Sequence, residues 1–396
     1  MGMAELLHFL CFFGVFWGFI KDSVCVTLNN EIQNGEKPKN GAVEMKTKIV
    51  TIGKMDAPED INKKLSEAGS IIQNGGLVAF PTETVYGLGG DALNPESSKK
   101  IYAAKGRPSD NPLIVHIADI AHLESIVCEI PQKAKLLADA FWPGPLTMIF
   151  RKSQLVPYQT TGGLETVAVR MPSNVLASQF IEKSGGYIAA PSANISGRPS
   201  PTSAKYVKQD MIGRIDMILE ADDVEIGLES TIVDVTCEVP MILRPGYITQ
   251  EMLCGIVGEI KVDETIFDSS SAAVPKAPGM KYRHYAPKGD LVIVEGEPQA
   301  VVGFINEKTA AHKSRGERTG VLCTEEWLTQ YHADSIKNAG SRNDCKTAAM
   351  RLYTFLREFD DENIAYIYAE AFDNAGLGQA VMNRLLKAAG HHIVKV

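Results

Sequence analysis

The sequence predicts an α/β protein: an open, twisted sheet of mixed strand direction, followed by a smaller Rossmann-like α/β domain. Three observations carry this. Short apolar runs of strand length are interleaved with segments whose apolar residues recur every three or four positions. A stretch rich in proline, serine and alanine interrupts the pattern at residues 266–289. Beyond it, strands and helices alternate through residues 290–396, as parallel βαβ units require.

The elements follow in order. Ile61, Leu65, Ala68 and Ile72 share one helical face, and Gly75-Gly76 ends it. Residues 77–80 read as a buried strand. Asn94 and Pro95 open a helix as cap and first-turn proline. Gly106 ends it near Lys105, and Pro108 prevents its return. Residues 113–117 read as a strand, 131–141 as a helix and 146–150 as a strand. Further strands are expected at 166–170, 187–190, 217–220, 231–235 and 241–244. After the linker, strands are expected at 291–295, 319–323 and 364–370, and helices at 298–308 and 377–389. Asp344 can cap a helix whose apolar face is Cys345, Ala348, Ala349, Leu352, Phe355, Leu356 and Phe359. The resulting plan is an N-terminal extension (1–55), a first domain (56–265), a linker (266–289) and a second domain (290–396).

Composition narrows the function. Hydrophobic residues at 45% and charged residues at 22% are ordinary for a globular protein, which excludes extended disorder or coiled coil as the main structure. A net charge of −8 argues against nonspecific nucleic-acid binding through overall charge. The seven cysteines are widely spaced with no Cys-x-x-Cys, so a zinc ribbon or disulfide framework is disfavoured and a reducing, cytoplasmic location is expected. Residues 6–20 form a run without Asp, Glu, Lys or Arg, short for a membrane span and followed by a polar stretch at 29–48. An upstream extension or mis-assigned start, a targeting segment and an anchor all stay open there. No stable membrane association is expected of the rest.

Candidate chemistry gathers at strand ends. Thr82, Thr84 and Tyr86 follow the strand at 77–80. Lys105, Gly106 and Arg107 close a helix, with Asn111 and His116 soon after. Arg170 ends an apolar strand, a costly place for a charge without a partner. Ser192, Asn194 and Thr202 follow another strand, Glu229 and Ser230 open one, and Arg244 closes one. Taken singly these are helix caps and turns. Together they place hydroxyls and four cations where open α/β sheets bind ligands, which suits a small polyanion such as ATP.

The motifs PTETVYGLG, KGRPSDNPLIVH, WPGPLT, TVAVRMP, APSANISGRPSPT, LESTIVD, ILRPG and APGMKYRHYAP occur in that order. In these the chain resembles the two-domain threonylcarbamoyl-adenylate synthases, whose first domain is YrdC-like, over residues 56–396. The resemblance implies a concave pocket and the synthesis of L-threonylcarbamoyl-AMP from L-threonine, bicarbonate and ATP, with release of pyrophosphate. It implies threonine-binding roles for Thr84, His116, Arg170, Ser192 and Ser230. Nucleotide-binding roles would fall to Arg107, Asn111, Thr166, Asn194, Thr202, Arg244 and a linker tyrosine, Tyr282 or Tyr285. Lys105 and Arg107 would carry the catalytic charge. Mg2+ is expected to accompany ATP, with no dedicated metal motif in the chain. A tRNA or a downstream threonylcarbamoyl-transferase complex is the implied partner. The rival reading is a non-catalytic YrdC-like module that binds RNA or nucleotide.

Overall fold

The computed structural model describes residues 45–266 and 284–396. The hydrophobic run at 6–20, most of the linker and Tyr282 lie outside the described residues.

Two sheets organise the rest. The larger contains β1 (Lys48–Thr51), β2 (Val78–Phe80), β3 (Gly87–Asp91), β4 (Ile114–His116), β5 (Leu146–Arg151), β6 (Thr166–Arg170), β7 (Ile188–Ala189), β8 (Met217–Glu220), β9 (Thr231–Asp234), β10 (Met241–Arg244) and β11 (Lys261–Val262). Their spatial order is β1-β8-β2-β3-β7-β4-β6-β5-β9-β10-β11. Parallel pairs such as β4 with β6 mix with antiparallel pairs such as β5 with β6, as expected. The smaller sheet holds β12 (Asp290–Glu295), β13 (Thr319–Cys323), β14 (Ser335–Asn338), β15 (Tyr366–Glu370) and β16 (Ile393–Lys395), in the order β14-β13-β15-β12-β16. Each of its pairings is parallel, in keeping with a Rossmann-like arrangement.

Local chemistry explains the elements that were expected. The helix Pro95–Lys105 starts where the Asn94 side chain accepts a hydrogen bond from the Glu96 amide, and stops at Gly106 in the left-handed conformation, φ 62°. The Asp344 carboxylate accepts from the Lys346 amide at 3.1 Å, at the first residue of the helix Lys346–Asp361.

Three readings need correction. The N-terminal extension was expected to reach residue 55, but β1 pairs in parallel with β8, and its Val50 and the following Ile52 are buried. The alternation in Lys48–Thr51 is too short to stand out, and its partner lies far along the chain. Residues 87–91, for which the sequence suggested no element, form β3; GLGGD carries almost no β-propensity and becomes a strand because β2 and β7 flank it. The helix expected at 298–308 runs to Ser314.

The hydrophobic core does not stop between the sheets. One cluster joins Val85, Leu228 and Tyr285 to Tyr353, Leu356 and Leu385 of the second domain. No helix among the described residues is long and apolar enough to cross a membrane.

Candidate active site

A partly open hollow lies at the ends of several strands of the larger sheet, where open α/β sheets bind ligands. Thr84, Lys105, Arg107, His116, Arg170, Ser192, Asn194, Ser230, Arg244 and Tyr285 all line it. Residues scattered over 200 positions of sequence therefore share one hollow.

Each cation is held differently. Lys105, the last residue of its helix, is buried and donates from Nζ to the carbonyls of Ser192 and Asn194, each at 2.5 Å. Burial, reinforced by the neighbouring Arg107 charge, lowers its pKa well below the usual lysine value. Arg107 is half-buried and fastened to its own loop: Nε donates to the Asn111 carbonyl at 3.1 Å, and Nη2 to Asn111 Oδ1 at 2.6 Å and the Pro112 carbonyl at 3.0 Å. Loss of water around it pulls its pKa down to about 10, so it stays charged at neutral pH.

Arg170, at the end of β6, finds the partner that its burial demands. Its Nη2 sits 2.7 Å from Glu83 Oε1, both side chains being about 5% exposed. The pair lies out of reach of bulk water, where an ionic contact of this length is strong. Nη1 donates to Thr84 Oγ1 at 2.9 Å, and Thr84 Oγ1 lies 2.9 Å from Thr82 Oγ1. Beside Arg170, His116 is buried at the end of β4 with Nδ1 3.2 Å from the Ile114 carbonyl. Burial, and then the Arg170 charge, push its pKa down to about 3, so it is neutral.

Arg244 closes β10 and reaches across to the residue that precedes β9. Its Nε donates to the Ser230 carbonyl and its Nη2 to Ser230 Oγ, each at 3.1 Å. Ser230 Oγ also lies 2.7 Å from Thr147 Oγ1. Ser192 donates to Asn194 Oδ1 at 2.5 Å, while Asn194 Nδ2 donates to the carbonyls of Ile195 and Arg198.

Three expected residues stand elsewhere. Asn111 is buried behind Arg107 and orients it without lining the cavity. Thr166 begins β6, ~13 Å along the strand from Arg170, and does not line the cavity. Thr202 is turned away toward the second domain, its Oγ1 2.8 Å from Thr354 Oγ1; Ser200 lines the cavity in its place.

Sequence reasoning named Glu229 only as opening a strand and passed over the charge network around it. Glu229 lines the cavity and accepts from Ser200 Oγ at 2.6 Å, Tyr353 Oη at 2.8 Å and Arg384 Nε at 3.2 Å. Burial alone would raise its pKa, but Arg384, Arg244 and these hydroxyls hold it at about 2. Tyr353 and Arg384 belong to helices of the second domain, Lys346–Asp361 and Gly376–Ala388. Arg357, one turn beyond Tyr353, donates to the Pro199 carbonyl and to both Asp210 oxygens. The Tyr285 ring packs against Tyr353, centroids 5.0 Å apart and planes tilted by 33°, with its own backbone at φ 64°. The adjoining Ala286 amide donates to the Gly197 carbonyl at 2.8 Å. Tyr353 at a helical position and lone arginines on amphipathic helices carry no sequence signal that separates them from core and surface.

Comparison with known proteins matches this architecture. Residues 70–246 match the Sua5/YciO/YrdC family model, described as "Telomere recombination", and residues 248–390 match "Threonylcarbamoyl-AMP synthase, C-terminal domain". The chain is 46% identical to the Bacillus subtilis threonylcarbamoyl-AMP synthase over 352 residues, covering 89% of this chain and 100% of that protein. It is 47% identical to the Pyrococcus abyssi threonylcarbamoyl-AMP synthase over 333 residues, covering 84% and 96%. The crystal structure of Pyrococcus abyssi Sua5 complexed with L-threonine superposes with a TM-score of 0.83 at 45% identity, covering 88% of this chain and 100% of that one. With both domains matched in order, and with relatives matched over nearly their whole length, the chain belongs to the two-domain threonylcarbamoyl-AMP synthase family.

Proposed function

We propose that the chain condenses L-threonine, bicarbonate and ATP to L-threonylcarbamoyl-AMP and pyrophosphate, for threonylcarbamoyl modification of adenosine in tRNA. The observation that carries this is one cavity in which Lys105, Arg107, Arg170 and Arg244 converge among hydroxyls and a neutral imidazole. The threonine amine attacks the bicarbonate carbon and water departs, leaving an N-carboxylate. A carboxylate oxygen then attacks the α-phosphorus, the bond to the β-phosphate bridging oxygen breaks, and pyrophosphate carries away the electron pair. No covalent enzyme intermediate is needed, so catalysis is positioning and electrostatics.

Threonine sits at the Thr84–Arg170 end, its carboxylate facing the guanidinium, with His116, Ser192 and Ser230 around it. The threonine complex of the Pyrococcus abyssi relative supports this half of the reading. The nucleotide lies against Arg107, Asn194, Arg244 and Tyr285, with Asn111 acting through Arg107. Lys105 and Arg107 offset the charge where carbamate meets phosphate. Magnesium enters as part of Mg-ATP, neutralising charge on the phosphates. A tRNA or a downstream transferase complex receives the product. We place the step in the cytoplasm, a reducing compartment suited to the free thiols of Cys128, Cys237, Cys254, Cys323 and Cys345.

The test is pyrophosphate release from ATP, assayed with threonine and bicarbonate each present and withheld. Release that needs both is expected. Release indifferent to threonine, or tRNA binding without any release, refutes the reading.

A further inference from the structure

β9 and β10 form an antiparallel hairpin, and its open end carries two cavity groups. Ser230 directly precedes β9, and Arg244 is the last residue of β10. The backbones press close at this end. A side chain at Gly246 would meet the Thr231 amide nitrogen at 2.5 Å and the Glu229 carbonyl at 2.8 Å.

Arg244 itself bonds Ser230 across this end, and a second tie comes from the other domain. Arg384, in the helix Gly376–Ala388, is fully buried. Its Nη1 donates to the Pro245 carbonyl beyond β10. Its Nη2 donates to the Glu229 carbonyl at 3.3 Å, and its Nε to the Glu229 carboxylate at 3.2 Å. One planar guanidinium thus spans both strands, which a lysine ammonium cannot do.

We infer that Arg384 is a positioning residue for this reaction, holding Ser230 and Arg244 in register for threonine and nucleotide from a helix of the second domain. The inference rests on the activity proposed above. The second domain, on this view, sets substrate affinity without touching substrate. Deleting Arg384 also strands a buried Glu229 charge, so stability and positioning have to be separated.

The experiment uses the full chain as wild type, Arg384→Lys, Arg384→Met, Glu229→Gln and the Glu229→Gln/Arg384→Met pair. Melting temperature, threonine and ATP dissociation constants by calorimetry, and threonine-dependent pyrophosphate release are measured on each. Arg384→Lys should weaken threonine binding about tenfold, the effect of losing one charge-assisted hydrogen bond. Arg384→Met should lose both stability and affinity. The double variant should regain melting temperature, because no charge is left buried alone, yet bind threonine about tenfold more weakly than Glu229→Gln. Wild-type affinity in Arg384→Lys, or affinity that returns with stability in the double variant, overturns the inference. Wild-type protein that binds ligands but releases no pyrophosphate refutes the proposed function alone, and the affinities still decide the role of Arg384. Wild-type protein that binds neither ligand overturns both.

Discussion

Replacing His116 with glutamine should flatten the loss of stability on acidification. In the folded chain, burial and then Arg170 depress the imidazole pKa from 6.5 to about 3. The unfolded chain therefore binds a proton as pH falls through 6.5, while the folded chain does not until near pH 3. Stability contributed by neutral His116 is present above pH 6.5 and drains away below it. Between pH 7.5 and pH 5 the drain is about 2 kcal/mol, from 1.36 kcal/mol per pKa unit. Any folded-state pKa below about 4 gives nearly the same figure at pH 5. Carboxylates that titrate in this range do so in both proteins and cancel in the comparison. Urea unfolding of wild type and His116→Gln at the two pH values measures it. Wild type should lose about 2 kcal/mol more than the variant across the interval. Parallel losses would show that His116 is protonated in the fold, and that Arg170 does not exclude a second cation from its side.

Lys105→Ala and Arg107→Ala should each lower kcat/KM about 10²-fold or more in the pyrophosphate assay, since each removes a preorganised donor; near-normal rates would leave both as ties between loops through Ser192, Asn194, Asn111 and Pro112. Arg170→Met leaves Glu83 buried without its counter-charge and should cost about 3–5 kcal/mol in urea unfolding. Tyr285→Ala should weaken ATP binding measured by calorimetry, and Tyr285→Phe, which keeps the ring against Tyr353 but loses the hydroxyl that bonds it, should weaken it less.

Features built from neighbours in sequence were legible. The cap at Asn94, the stop at Gly106 and the strand ends that carry Arg170 and Arg244 depend on contacts within one turn or one strand. Lys105 and Arg107 were legible as candidates because a helix end fixes their separation. What failed depends on distant partners. β3 is a strand by virtue of β2 and β7, and its bare backbone lets the Phe80 ring and Ile188 close over it. Thr202 sits in the same short motif as Ser200, yet a helix 152 residues away turns its hydroxyl aside. The Glu229–Arg384 and Asp210–Arg357 pairs join residues 155 and 147 positions apart, and each arginine alone reads as the solvated face of an amphipathic helix.

The pairing of β1 with β8 has a consequence for how the chain reaches its native state. Thr51 and Glu220 meet across 169 intervening steps of chain, and β8 must slide between β1 and β2, both made long before it. During synthesis β1 and the edge of β2 that faces away from β3 wait for the strand that joins them. Loop closure on this scale is slow and leaves sticky backbone exposed meanwhile. Fragments that stop short of residue 220 should therefore aggregate as nascent products, while fragments that include β8 can close the first half of the sheet.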